Sequence, residues 1–200
     1  MTNIQTTPTT ASDPSVAAGS AQFLSPLVIS LQALVINGKQ AHWHVRGANF
    51  IGVHGLFDAI VANAQGWADT AAERIVALGL PVDARLSTVA EKATPTAVPA
   101  GFTKSDDLVR NVIADIDAII VEAQAAIEGL DEIDLTSQDV AVEIKRGLGK
   151  DRWFLFAHGA EESRPGSMLR SSVDLHTRKP PTVRTSGVFA CRIRCEDQAK

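Results

Sequence analysis

His42, His54, Asp58, Asp69 and Glu73 follow one another at intervals of 12, 4, 11 and 4 residues within KQAHWHVRGANFIGVHGLFDAIVANAQGWADTAAERIVALG, residues 39–79. At about 3.6 residues per helical turn, His54 and Asp58 are surface neighbours, as are Asp69 and Glu73, and the four fall within an arc of roughly 100°. Asp58 and Asp69 are nonetheless separated by about 16 Å of helical rise, too far for the two pairs to share an ion within one chain. Positions 54 and 73 have the midpoint 63.5, and so do 58 and 69. A two-fold axis crossing the helix near Asn63 and Ala64 would set His54 and Asp58 of one subunit against Glu73 and Asp69 of an antiparallel partner. Small residues Ala62, Ala64 and Gly66 around the crossing would let the two helices approach closely. The pattern reads as a metal site divided between two subunits.

Two imidazoles and three carboxylates, with no thiolate, suit Fe(II), with Mn(II) and Zn(II) as competitors. Five ligands can serve two ions, or one ion and waters, and leave coordination positions open to an oxidant. A structural zinc site would be closed and built from Cys and His at short spacing. Any one of these residues alone would read as part of a solvated helix face. Five that satisfy one symmetry condition do not.

The elements that must position them are helices. Leu24, Leu27, Val28, Leu31, Leu34 and Val35 recur at helical spacing and predict a first helix over about 21–46, with Pro26 tolerated in its opening turns. Gly47, Ala48 and Asn49 mark a turn. The second helix is expected over about 51–78, ending at Gly79 with Pro81 beyond. Residues 82–91 suit a short helix, and 93–103 a Pro-containing connection. The third helix should begin near Ser105, with Asp106 and Asp107 in its first turn, and bury Leu108, Val112, Ile116, Ile119, Ile120, Ala123 and Ile127. The fourth is expected over about 137–158, capped by Thr136 or Ser137. No strand alternation of useful length is present. The expected fold class is all-α: a four-helix bundle over 21–158, with a long link between helices 2 and 3 that holds a short helix.

Composition sets outer bounds. The chain has 200 residues, 45% of them hydrophobic, and a net charge of −4. No run is read as the ~18–20 apolar residues of a membrane span, so no membrane partner is expected. The N-terminal twenty residues hold no Lys or Arg and read as a flexible arm without a secretory signal, which suggests a cytoplasmic location. Cys191 and Cys195 are the only cysteines and give no disulfide framework. Residues 1–158 carry a balance of −7, a field that concentrates cations and repels DNA. Residues 159–200 carry +3 and lack periodicity; Arg164, Arg170, Arg178, Lys179, Arg184, Arg192, Arg194 and Lys200 could meet phosphate there.

Residues 39–58 together with DTAAERIVALG resemble the signature of the Dps mini-ferritins, the DNA-protecting iron proteins of starved bacterial cells. The resemblance covers roughly 22–158. It implies a ferritin-like bundle in a shell of twelve subunits that oxidises Fe(II), preferably with hydrogen peroxide, and stores the ferric product. His42, His54 and Asp58 of one subunit, with Asp69 and Glu73 of the other, would be the ligands and catalytic residues, holding as many as two iron ions. Trp43 would lie near the iron and intercept stray oxidants. Acidic residues around 130–139 would line three-fold pores, with Asp134 and Asp139 as the candidates. Classical ferritins use Glu-x-x-His motifs within one subunit, and this chain has none. His44 departs from the pattern, where Asn commonly follows the His-Trp pair. The chain also departs after His158, where Gly159 and then SRPGS interrupt the last helix. The alternative reading is a DNA-compacting nucleoid protein that works through its tail, with little or no ferroxidase activity.

Overall fold

A computed structural model describes residues 13–159, which form five helices and a pair of two-residue strands. The basic tail over 160–200, with both cysteines and His176, lies outside the described residues, as do residues 1–12.

The first helix, α1 (Pro14–His44), begins seven residues earlier than the apolar spacing predicts. Asp13 supplies the start: its carboxylate accepts the Ser15 N–H at 2.8 Å, and Pro14 takes the first helical position, where no N–H is needed. Residues 14–20 therefore do not belong to a flexible arm. Ala17 and Ser20 are buried, and a methyl added at Gly19 would meet Ile133 Cγ2 at 3.1 Å. Pro26 accordingly stands in the helix interior rather than its opening turns. It is exposed, as is Gln22 one turn back, so water can serve the carbonyl that Pro26 leaves without a donor. By length and composition α1 could also cross a membrane, contrary to the expectation drawn above. Ala, Ser, Gln and Asn interrupt its apolar run, which hid this in the sequence. In the subunit, Leu24, Leu27, Leu31 and Leu34 face the core.

Strand β1 (Val45–Arg46) leads into α2 (Phe50–Ala77). The end of α2 is fixed by Gly79 at φ 91°, with its N–H on the Val76 carbonyl and the Leu80 N–H on that of Ile75. A left-handed residue in that role favours glycine. The link then holds α3 (Leu86–Lys92) and β2 (Thr103–Lys104), followed by α4 (Ser105–Leu130) and α5 (Leu135–Gly159). The strands pair in parallel, Val45 with Thr103 and Arg46 with Lys104. They tie the end of α1 to the start of α4, a bridge too short to show in sequence alternation.

Helix α1 packs on α2 and α4, and α5 closes the bundle against the other faces of these two. The core holds Leu24, Leu27, Phe57, Ile60, Ile75, Leu108, Ile116, Ile144 and Leu148, each buried to below 2% exposure. Each such side chain contributes about 1.5–3 kcal/mol on leaving water. The predicted stripe of α4 is buried, with Ile120 and Ile127 half-buried at its border. The Trp67 ring fills the space that a side chain at Gly147 would need, which brings α2 and α5 close. The architecture is a four-helix bundle with a short helix in the long link, the plan that the resemblance implies.

Candidate metal centre

His42 ends α1 and His54 opens α2, so the turn at 45–49 folds the two imidazoles onto one another. Their rings stack with centroids 3.7 Å apart and planes at 24°. His42 Nδ1 donates to the His54 carbonyl at 2.9 Å, and His54 Nδ1 donates to the His42 carbonyl at 3.0 Å. A ring that donates from Nδ1 keeps its lone pair on Nε2, the arrangement of a metal-binding histidine oriented by a backbone partner. Both rings are thereby oriented with Nε2 as the remaining nitrogen, the donor type that suits a borderline divalent ion.

Asp58 lies one turn beyond His54, with Oδ1 3.9 Å from His42 Nδ1. The structure brings these three residues together. It also adds one that the sequence reading missed: Lys39 pairs with Asp58 and holds its carboxyl below the usual range. Lys39 precedes His42 by three residues on α1, so their shared face was the available signal.

Asp69 and Glu73 are exposed on α2 and do not join the histidines within the subunit. Among the described residues, no three His, Cys, Asp or Glu side chains gather tightly enough to hold a metal. The exposed face of α2 carries Asp58, Ala62, Gln65, Gly66, Asp69 and Glu73. It also carries Ile51 and Val76, at 78% and 58% exposure, whose midpoint is again 63.5. Ala64 is corrected: it is fully buried in the core, so it takes no part in a helix crossing on that face. Ala62 and Gly66 are exposed, and a methyl at Gly66 would touch nothing within 4 Å.

Asp134 and Asp139 differ sharply. Asp134, and not Thr136 or Ser137, caps α5: its carboxylate accepts the backbone N–H groups of Thr136 and Ser137 at 3.3 Å each. It also accepts from Arg74 Nη2 at 2.6 Å and from the Ser137 hydroxyl. Only 13% of its side chain is exposed, so little of it remains to line a channel. Asp139 is exposed.

Trp43 is 59% exposed, beside the His42 ring in sequence. His44 turns away and donates Nδ1–H to the Gln40 carbonyl at 2.9 Å. His158 lays its ring on the backbone at Gly52, two residues before His54.

A ferritin-like domain matches residues 27–163. The DNA protection during starvation protein of Mycolicibacterium smegmatis is 34% identical over 151 residues, covering 71% of this chain and 78% of that protein. Its namesake in Agrobacterium fabrum is 33% identical over 141 residues, covering 70% and 87%. Among solved structures, Dps of Microbacterium arborescens in its high-iron form superposes with a TM-score of 0.73 at 67% identity, covering 75% of this chain and 98% of that one. Mycobacterium smegmatis Dps superposes at 0.70 with 28% identity, covering 74% and 91%. Motif, bundle and relatives agree: the chain belongs to the Dps family of ferritin-like proteins.

Proposed function

We propose that this protein oxidises Fe(II) at sites shared between two-fold-related subunits and stores the ferric product inside a shell of twelve, and so protects DNA from iron-driven oxidation. The observation that carries the reading is the His42–His54 pair, two imidazoles locked so that both leave Nε2 free. His42, His54 and Asp58 of one subunit hold the iron together with Asp69 and Glu73 of its partner. Carboxylates stabilise the higher charge of Fe(III), and the partner supplies two of the three. Ile51 and Val76 support the pairing, because a two-fold axis at the shared midpoint covers each with the other.

Hydrogen peroxide is the oxidant. Two Fe(II) give one electron each, the O–O bond breaks, two protons are consumed and two waters form. Taking both electrons at one site avoids release of hydroxyl radical. Iron reaches the interior through acidic pores, where exposed Asp139 is the better candidate and Asp134 is withdrawn because it caps α5 and pairs with Arg74. Mixing the purified protein with Fe(II) and peroxide should give rapid oxidation, lost in a His54→Ala, Asp58→Ala double variant that keeps its native mass. Equal rates in the two proteins overturn the assignment.

A further inference from the structure

A second group of carboxylates lies away from the histidines. Between α1 and α4, beneath residues 93–95 of the link, is a cavity of about 30 Å³. Ser30, Thr94, Asp115 and Glu122 form its polar wall. No basic side chain lines it, and none of the five proposed iron ligands does.

Asp115 is 5% exposed. Its Oδ1 accepts the Thr96 N–H at 2.6 Å and the Thr96 hydroxyl at 2.7 Å. Its Oδ2 is buried without a hydrogen-bond partner, and so is Glu122 Oε2. Among the described residues these are the only two side-chain atoms in that condition, and both belong to residues of one cavity. A buried polar atom without a partner is costly, and an unpaired buried charge more so. Two in one place call for a common remedy.

A proton or a cation could provide it. Burial pushes the Glu122 carboxyl up, against a hydrogen bond from Ser30. A proton neutralises only one of the two carboxyls, whereas a divalent cation balances both. The donors around the cavity are all oxygens, which selects a hard cation. The volume exceeds the roughly 10–15 Å³ that one water needs, so an ion and a water fit together. Asp115 and Glu122 are seven residues apart, on the same face of α4 with about 10 Å of rise between them. The longer glutamate leans toward the helix N-terminus, and thus toward Asp115.

We propose that this cavity is a divalent-cation site of the Mg²⁺ or Ca²⁺ class, bound directly by Asp115 Oδ2 and through water by Glu122. It fastens the link at Thr94–Thr96 to α1 and α4. Nothing in it depends on the iron reading.

The test uses the full-length protein with His54→Ala and Asp58→Ala, to remove most binding at the histidine centre, and adds Mg²⁺ or Ca²⁺ alone. Calorimetry should find one ion per subunit that disappears with Asp115→Asn, a change that leaves Oδ1 to Thr96. Glu122→Gln should weaken binding about tenfold. The rise in Tm that the cation gives should vanish in both variants. Equal stoichiometry with and without Asp115 overturns the site, as does the absence of any cation-dependent rise in Tm. Should Asp115→Asn fail to fold, Glu122→Gln decides: unchanged affinity overturns the proposal. A Tm indifferent to both cations but raised by Glu122→Gln assigns the remedy to a proton, and also overturns it.

Discussion

The Lys39 ammonium rests on the Asp58 carboxylate where the last turns of α1 lie against the first turns of α2. Asp58 thus carries a counter-charge inside its own subunit, and the Lys39 hydrogen bond is the main cause of its lowered pKa. On the proposed reading, an arriving metal ion must replace that ammonium. Lys39→Met should therefore raise anaerobic Zn(II) or Fe(II) affinity several-fold, since an opposite charge close to a carboxylate stabilises its free anionic form. The Tm should hardly move, because the two side chains are 37% and 55% exposed and such pairs add little to stability. Unchanged affinity would remove Lys39 from the loading step.

Asp134 gives a pH dependence of known sign. Burial alone would raise its carboxyl, but Arg74 and the Ser137 hydroxyl outweigh that and hold it at about 2, against an ordinary 3.8. A carboxyl with a depressed folded pKa contributes stability above its unfolded value. That contribution drains away as pH falls from 3.8 through about 2. Its full size at neutral pH is about 2 kcal/mol. Asp134→Asn should lower stability at pH 7 by up to this amount, with the gap from wild type closing toward pH 2.5. Denaturant titrations at several pH values measure it. A gap that stays constant would mean that the loss comes from packing and not from charge.

Much of this was legible in the chain. Leu108 through Ile127 announced the buried face of α4 because one helix had one apolar neighbour set, and period and burial then coincide. Gly79 with Pro81 marked the end of α2 through chain chemistry that acts locally. The start of α1 was written in Asp13-Pro14 but masked by the surrounding Thr, Ser and Pro, which resemble a disordered arm. Of the apolar residues in its first turns only Ala17 is buried, and they hold by docking near Ile133, more than a hundred residues away. Asp134 was misjudged for the same reason. Its role is set by Arg74 on another helix, and no spacing rule reports that pairing. In the candidate metal centre, the meeting of His42, His54 and Asp58 followed from spacing. The backbone bonds that orient His42 and His54 needed the turn between them.

Gly147 and Trp67 test the seam between α2 and α5. Alanine is the better helix former by about 1 kcal/mol, so Gly147→Ala would stabilise an exposed helix. Here a methyl would collide with the ring of Trp67, which is half-buried against the core and must shift. Overpacking of this kind costs about 1–3 kcal/mol, so the net effect should be a loss. Trp67→Leu should cost stability alone, yet abolish the extra penalty of Gly147→Ala in a double-mutant cycle. Additive effects would show that the two helices do not meet through this pair.

The proposed division of the iron site between subunits admits a test that no single variant offers. One chain carries His54→Ala and Asp58→Ala; a second carries Asp69→Ala and Glu73→Ala. Each alone should be inactive with Fe(II) and peroxide. In a two-fold dimer of one chain of each kind, one site collects all four substitutions and the other collects none. Random co-assembly makes half of the dimers mixed, so about one quarter of all sites should be intact and the rate should recover to about that share. Co-expression with distinguishable tags, followed by native mass measurement, confirms mixing before the rate is read. If each subunit built its own site, every site would hold a substitution and no activity would return. Recovery near one quarter can arise only if His54 and Asp58 act with Asp69 and Glu73 of the neighbouring chain.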